Sequence, residues 1–173
     1  AALNYVALFG TLADFGFYWI LAKELTKSKG DQEKTDFITG NILALRSIFA
    51  LIILSCAVTA IYLIPAGSFA ILTPTLKLGI LVVAIATFWQ SLNMTFIAVF
   101  QVQYRMDRPV LAEIIGRSIS LILLIPFLIF HLNVVWLLSA MVWVAIINFF
   151  VNLYFARYYT RPKLTFDFKY FFT

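Results

Sequence analysis

Five stretches of the chain are apolar almost without interruption, and short polar connections separate them. They run from about Ala1 to Ala22, Asn41 to Ile64, Leu76 to Phe100, Pro109 to Phe130 and Val134 to Phe155. A spanning helix needs roughly 20 mostly apolar residues at about 1.5 Å rise each, and every stretch meets that length. None alternates apolar and polar residues as the strands of an outer-membrane barrel do. The pattern predicts an all-α polytopic transmembrane helix bundle over residues 1–155, with spans at about 1–22, 41–64, 76–100, 109–130 and 134–155. Residues 156–173 follow as a cytoplasmic interfacial linker toward another span; a simple membrane-surface tail is the plainer alternative. Local signals agree. Thr73-Pro74 and Asp107-Arg108-Pro109 read as caps and first turns, Gly30-Asp31 punctuates the first connection, and Pro65-Ala-Gly-Ser68 ends the second span. Pro126 inside the fourth span predicts a kink.

Composition says the same thing about the solvent. Of 173 residues, 63% are hydrophobic and 12% charged, against about 45–50% and about 25% in a soluble domain. That excludes a soluble enzyme, a nucleic-acid reader and a disordered tail. The net charge of +5 is no nucleic-acid footprint, because the basic residues sit in short loops between apolar spans. Cys56 is the single cysteine and makes no intrachain disulfide.

The basic residues also orient the bundle. Lys23, Lys27, Lys29 and Lys34 lie in the first connection, Arg105 and Arg108 in the third, and Arg157, Arg161, Lys163 and Lys169 after the last span. The second connection has only Lys77, and the turn His131-Leu-Asn133 has no Lys or Arg. By the positive-inside rule the first and third connections and the tail are cytoplasmic, and Ala1 starts outside. An outside start, an odd number of spans and no initiator Met or signal peptide read as an internal piece of a longer protein that lacks its first helix.

Several chemical look-alikes are discarded. Asp14-Phe-Gly16 spells a kinase metal motif without the rest of a kinase. Asn93-Met-Thr95 fits a glycosylation acceptor but lies inside a span. His131 is alone, so no metal site is expected. No cofactor motif and no catalytic set of residues is present, so no enzyme is expected.

What remains is four ionisable residues inside spans: Asp14, Arg46, Glu113 and Arg117. A charge at a helix centre costs about 2.5–3.5 kcal/mol even on lenient scales, so such residues face protein or water. Counting from the helix ends puts Asp14 roughly 13 Å, Arg46 roughly 8 Å, Glu113 roughly 6 Å and Arg117 roughly 12 Å deep, all in the cytoplasmic half. Glu113 and Arg117 share a face at i, i+4, and Asp14 and Arg46 sit on adjacent helices. Two readings stand. One is a pair of local ion pairs, with Arg46 snorkelling to the surface. The other is a polar cavity open to the cytoplasm, with arginines whose planar forks suit phosphate. Gln90, Ser91, Asn93 and Thr95 extend that polar layer toward mid-membrane, whereas Asn148 and Asn152 fit interhelical hydrogen bonding.

Three stretches carry a resemblance: Leu12-Ala-Asp-Phe-Gly-Phe17 with Ala22-Lys-Glu-Leu25; Phe100-Gln-Val-Gln-Tyr-Arg-Met106 running into Ala112-Glu-Ile-Ile-Gly-Arg117; and Leu164-Thr-Phe-Asp-Phe168. Together they resemble the O-antigen-type oligosaccharide flippases of the multidrug/oligosaccharidyl-lipid/polysaccharide (MOP) exporter superfamily, over essentially the whole chain. The resemblance implies helices two to six of about twelve to fourteen, making up most of the N-terminal lobe of a two-lobed, alternating-access transporter. It implies a bacterial cytoplasmic (inner) membrane protein for cell-surface polysaccharide and lipopolysaccharide biosynthesis. The implied partners are a polyprenyl-pyrophosphate-linked oligosaccharide, moved from the cytoplasmic to the outer leaflet, the surrounding membrane lipids, and polysaccharide polymerase and glycosyltransferases of the same pathway. By position, the substrate-cavity candidates are Arg46, Arg117, Asp14, Glu113, Gln90 and Asn93. Two alternatives remain open: a drug/cation antiporter of the same superfamily, and a membrane-embedded polysaccharide polymerase, which the short outer loops disfavour.

Overall fold

The structure is a computed structural model that describes residues 2–14, 16–28, 30–63, 73–130 and 134–162. Its described residues form six helices and no strand: α1 (Ala2–Asp14), α2 (Phe17–Lys27), α3 (Gln32–Leu63), α4 (Pro74–Val102), α5 (Asp107–Phe130) and α6 (Val134–Ala156). Five of the resulting segments are long and apolar enough to cross a membrane, with α1 and α2 together making the first. The chain is a multi-pass membrane protein of the all-α class.

Two spans differ from the sequence expectation. The first is broken: α1 ends at Asp14, and Gly16 in the left-handed region (φ 76°) starts α2. A residue without a Cβ adopts that conformation at no steric cost, so the chain can change direction there. The second span begins at Gln32, well before Asn41. Its first turns are polar, so hydropathy alone misses them, yet Thr35, Asp36, Ile38 and Thr39 are all buried. Asp31 caps this helix by accepting the Lys34 N–H at 3.1 Å. That bond, reinforced by the Lys34 ammonium, holds the Asp31 carboxyl below the usual carboxylate range.

The other boundaries follow the predicted punctuation. Thr73 caps α4 by accepting the Leu76 N–H at 3.3 Å, with Pro74 in the first turn. At the far end, the Arg105 N–H donates to Phe100 O at 2.9 Å and the Tyr104 N–H to Gln101 O at 3.1 Å. This is a Schellman closure, with Tyr104 (φ 54°) in the place glycine usually takes. α5 stays helical through Pro126 to Phe130. The expectations for Pro65–Ser68, the His131 turn and the stretch from Lys163 onward lie outside the described residues.

α4 is the central helix, packed against α1, α2, α3 and most extensively α6. Three apolar clusters hold this arrangement. Val6, Leu54, Ile80 and Val83 join α1, α3 and α4; Leu21, Ile38, Ile42 and Val99 join α2, α3 and α4; Leu43, Phe96, Phe100 and Phe149 join α3, α4 and α6. Among the described residues α5 contributes to none of them, and it packs almost wholly on α6. Its buried residues Pro109, Ala112 and Gly116 recur at helical spacing and form a narrow seam. Small residues there let two helices approach closely, the usual solution in lipid.

The α2–α3 turn, the α4–α5 turn and the exit of α6 gather at one end. Asp36 Oδ1 accepts from Gln32 Nε2 (3.1 Å), Thr160 Oγ1 (3.0 Å) and the Arg161 N–H (2.7 Å). Gln32 Nε2 also donates to Tyr159 O at 2.7 Å. Arg108 lies over the Phe155 ring, 5.3 Å from its centroid. The connections rich in Lys and Arg thus share one face of the bundle.

Candidate functional site

The polar run on α4 divides by helical period. Gln90, Asn93, Met94 and Ile97 point toward α5 and α6, while Ser91 and Thr95 are buried. Because α5 leans on α6 and scarcely touches α4, a cleft of about 480 Å³ opens between the three helices. Its polar wall is Gln90, Asn93, Glu113, Arg117, Ser120, Asn148 and Asn152; Met94, Met106 and Met141 line much of the rest.

The cleft brings together four of the six candidates: Gln90, Asn93, Glu113 and Arg117. Arg117 pairs with Glu113 one turn before it, and both side chains are well exposed. Across the cleft, Asn152 Nδ2 donates to Asn93 Oδ1 at 2.8 Å. The interhelical bond expected of Asn152 is therefore present, and the same amides also line the cleft. Asn152 Oδ1 and Asn148 Oδ1 are buried with no hydrogen-bond partner among the described residues. Asn148 lies directly against Gly116, where a Cβ would stand 2.2 Å from Oδ1. The glycine in the α5 seam is what gives this amide its place.

Asp14 lies elsewhere. It lines a second cavity, of about 530 Å³, between α1 and α4, together with Asn4, Thr11, Thr87, Gln90 and Ser91. Gln90, Met94 and Met141 border both cavities, so the two meet at Gln90. Arg46 lines neither. It is fully enclosed, does not snorkel, and lies roughly 21 Å along α3 from Gln32 rather than the 8 Å expected, because the helix starts earlier. Its guanidinium pairs with Asp14, and its Nε donates to Ser91 Oγ at 3.2 Å. Nη1 has no partner among the described residues. The four intramembrane charges are therefore two separate ion pairs on different sides of α4. Asp14–Arg46 fastens the break between α1 and α2 to the core, and Glu113–Arg117 stands in the open cleft.

Asp36 went unnoticed in the sequence because it sits among polar residues at a helix start. Its value comes from Thr160 and Arg161, far away in the chain, which no local pattern reveals. Among the described residues no group of three His, Cys, Asp or Glu is placed to hold a metal ion.

No curated protein and no solved structure matches the chain. A family model described as "Polysaccharide biosynthesis protein" matches residues 1–173, the whole of it. With the model matching from end to end, the chain belongs to the polysaccharide biosynthesis protein family.

Proposed function

We propose that this chain is most of the N-terminal lobe of a transporter that flips polyprenyl-diphosphate-linked oligosaccharide across the bacterial cytoplasmic membrane by alternating access. The observation that carries this reading is the α4–α5–α6 cleft. It places a charge pair and several amide side chains inside an otherwise apolar bundle. A flipped glycolipid needs that combination, because its head group must leave water while its tail stays in lipid. Family membership supports the same process. Among the described residues, the ionised groups that line this cleft are one mutually paired acid and base. The end of the bundle that gathers the basic connections is assigned to the cytoplasm by the positive-inside rule.

Native mass spectrometry on the protein purified gently from its own membranes tests this. A bound polyprenyl diphosphate glycan is the expected result. Preparations that never contain such a lipid would overturn the reading and favour a drug/cation antiporter, with Asp14 in the α1–α4 cavity as the group to examine.

A further inference from the structure

We propose that the α4–α5–α6 cleft binds the hydroxyl groups of the glycan, while the diphosphate of the same lipid stays at the rim, against Arg105 and Arg108. The inference rests on the flippase reading and assigns its two chemistries to two places.

Charge is the first reason. Glu113 and Arg117 are the only ionised groups lining the cleft among the described residues, and they are in contact. The wall is formally neutral. A diphosphate drawn to the Arg117 guanidinium meets the Glu113 carboxylate at the same point and is repelled by it. The other intramembrane arginine, Arg46, is enclosed and already paired.

Hydrogen-bond inventory is the second. Asn152 Oδ1 and Asn148 Oδ1 are buried acceptors that receive nothing from the described residues, and Asn152 has already committed its Nδ2 to Asn93. Only a donor satisfies such atoms. An ionised diphosphate has none to offer, whereas each sugar hydroxyl both donates and accepts. Gln90, exposed in the same wall, adds an amide of the same kind. The volume of about 480 Å³ falls in the ordinary range for small-molecule sites.

The rim supplies what the cleft lacks. Met106 and Pro109 line the cleft, and Arg105 and Arg108 flank them in the α4–α5 turn. Arg105 is exposed and in no ion pair with a described residue. Arg108 pairs with its neighbour Asp107, at 3.4 Å on the surface, and lies over the Phe155 ring. The turn therefore has an excess of positive charge next to a neutral cleft, at the bundle end where a lipid diphosphate would enter.

The test is equilibrium binding to the full-length protein in nanodiscs. The probes are a short-chain polyprenyl diphosphate and the same lipid carrying a disaccharide. Asn148→Ala and, independently, Gln90→Ala should each weaken the disaccharide lipid about tenfold while changing the bare lipid less than about twofold. The double variant Arg105→Gln/Arg108→Gln should weaken both lipids by the same factor. A misfolded variant would lose both lipids, so the ratio between them is the readout. If Arg117→Gln weakens the bare lipid as much as the rim variant does, or if neither amide variant changes the ratio, the division of labour is wrong and the flippase reading survives. If the unaltered protein binds neither lipid, both fall.

Discussion

Asp14→Asn takes the charge away from a guanidinium that no water reaches. The pair is asymmetric: the Arg46 side chain has no accessible surface, while that of Asp14 is 44% exposed toward the α1–α4 cavity. Cutting it from the carboxylate side strands a buried cation, which costs about 3–5 kcal/mol in comparable cases. Cutting it from the other side with Arg46→Met strands a carboxylate that rehydrates. The remaining loss is the Ser91 hydrogen bond and some packing, about 1–2 kcal/mol. The double variant Asp14→Asn/Arg46→Met should match Arg46→Met, because no ion is left unpaired. For a chain of this size each kcal/mol moves the melting temperature by about 2–4 °C, so Asp14→Asn should lose on the order of 10 °C and Arg46→Met about 4 °C. Intrinsic tryptophan fluorescence during heating in nanodiscs reads this out, since Trp89 packs against Phe149 in the core, ring centroids 5.0 Å apart. Asp14→Asn melting at or above Arg46→Met, or a double variant no better than Asp14→Asn, would refute the claim that a desolvated cation is what the carboxylate holds.

Three other outcomes are expected. Gly116→Ala puts a methyl group 2.2 Å from Asn148 Oδ1, so it should push α5 off α6 at about 1–3 kcal/mol, seen as a lower melting temperature and faster amide exchange in both helices. Asp36→Ala deprives Thr160, Arg161 and Gln32 of their shared acceptor, at about 1–3 kcal/mol; limited proteolysis should cut the chain after α6 sooner. Asp31 has a lowered pKa, so its cap on α3 is fully present above the ordinary value of 3.8 and is lost as the pH falls below it through the folded value. The protection factor of the Lys34 amide, its exchange rate relative to the unfolded chain at the same pH, should therefore fall on acidification in the native protein and stay level in Asp31→Asn, which caps without titrating.

Much of the fold was legible because lipid imposes one simple demand: a continuous apolar helix satisfies its own backbone hydrogen bonds. That demand places all five spans and makes Thr73-Pro74 a recognisable start. It says nothing of polar turns that extend a helix beyond the apolar run, so Gln32 to Gly40 read as loop. The pairing of Asp14 with Arg46 and of Glu113 with Arg117 was readable from adjacency and spacing. Which pair faces a cavity was not. That depends on α5 leaning toward α6, which follows from the close approach of Ala112 and Gly116 rather than from any charge. The amides of Asn148 and Asn152 look like ordinary interhelical glue until the open wall beside them is seen.

The narrow attachment of α5 bears on how this protein changes over time. Among the residues whose burial is described, only Pro109, Ala112 and Gly116 of this helix are buried, and the cleft residues Glu113, Arg117 and Ser120 lie outside that seam. Exchanging an exposed residue usually shifts stability by no more than about 0.5 kcal/mol. The chemistry of this wall can therefore drift while the core built by α1–α4 and α6 stays intact. The residues of α5 that face the cleft and those that hold the helix in place are separate sets, so the first can be exchanged at little cost to the second.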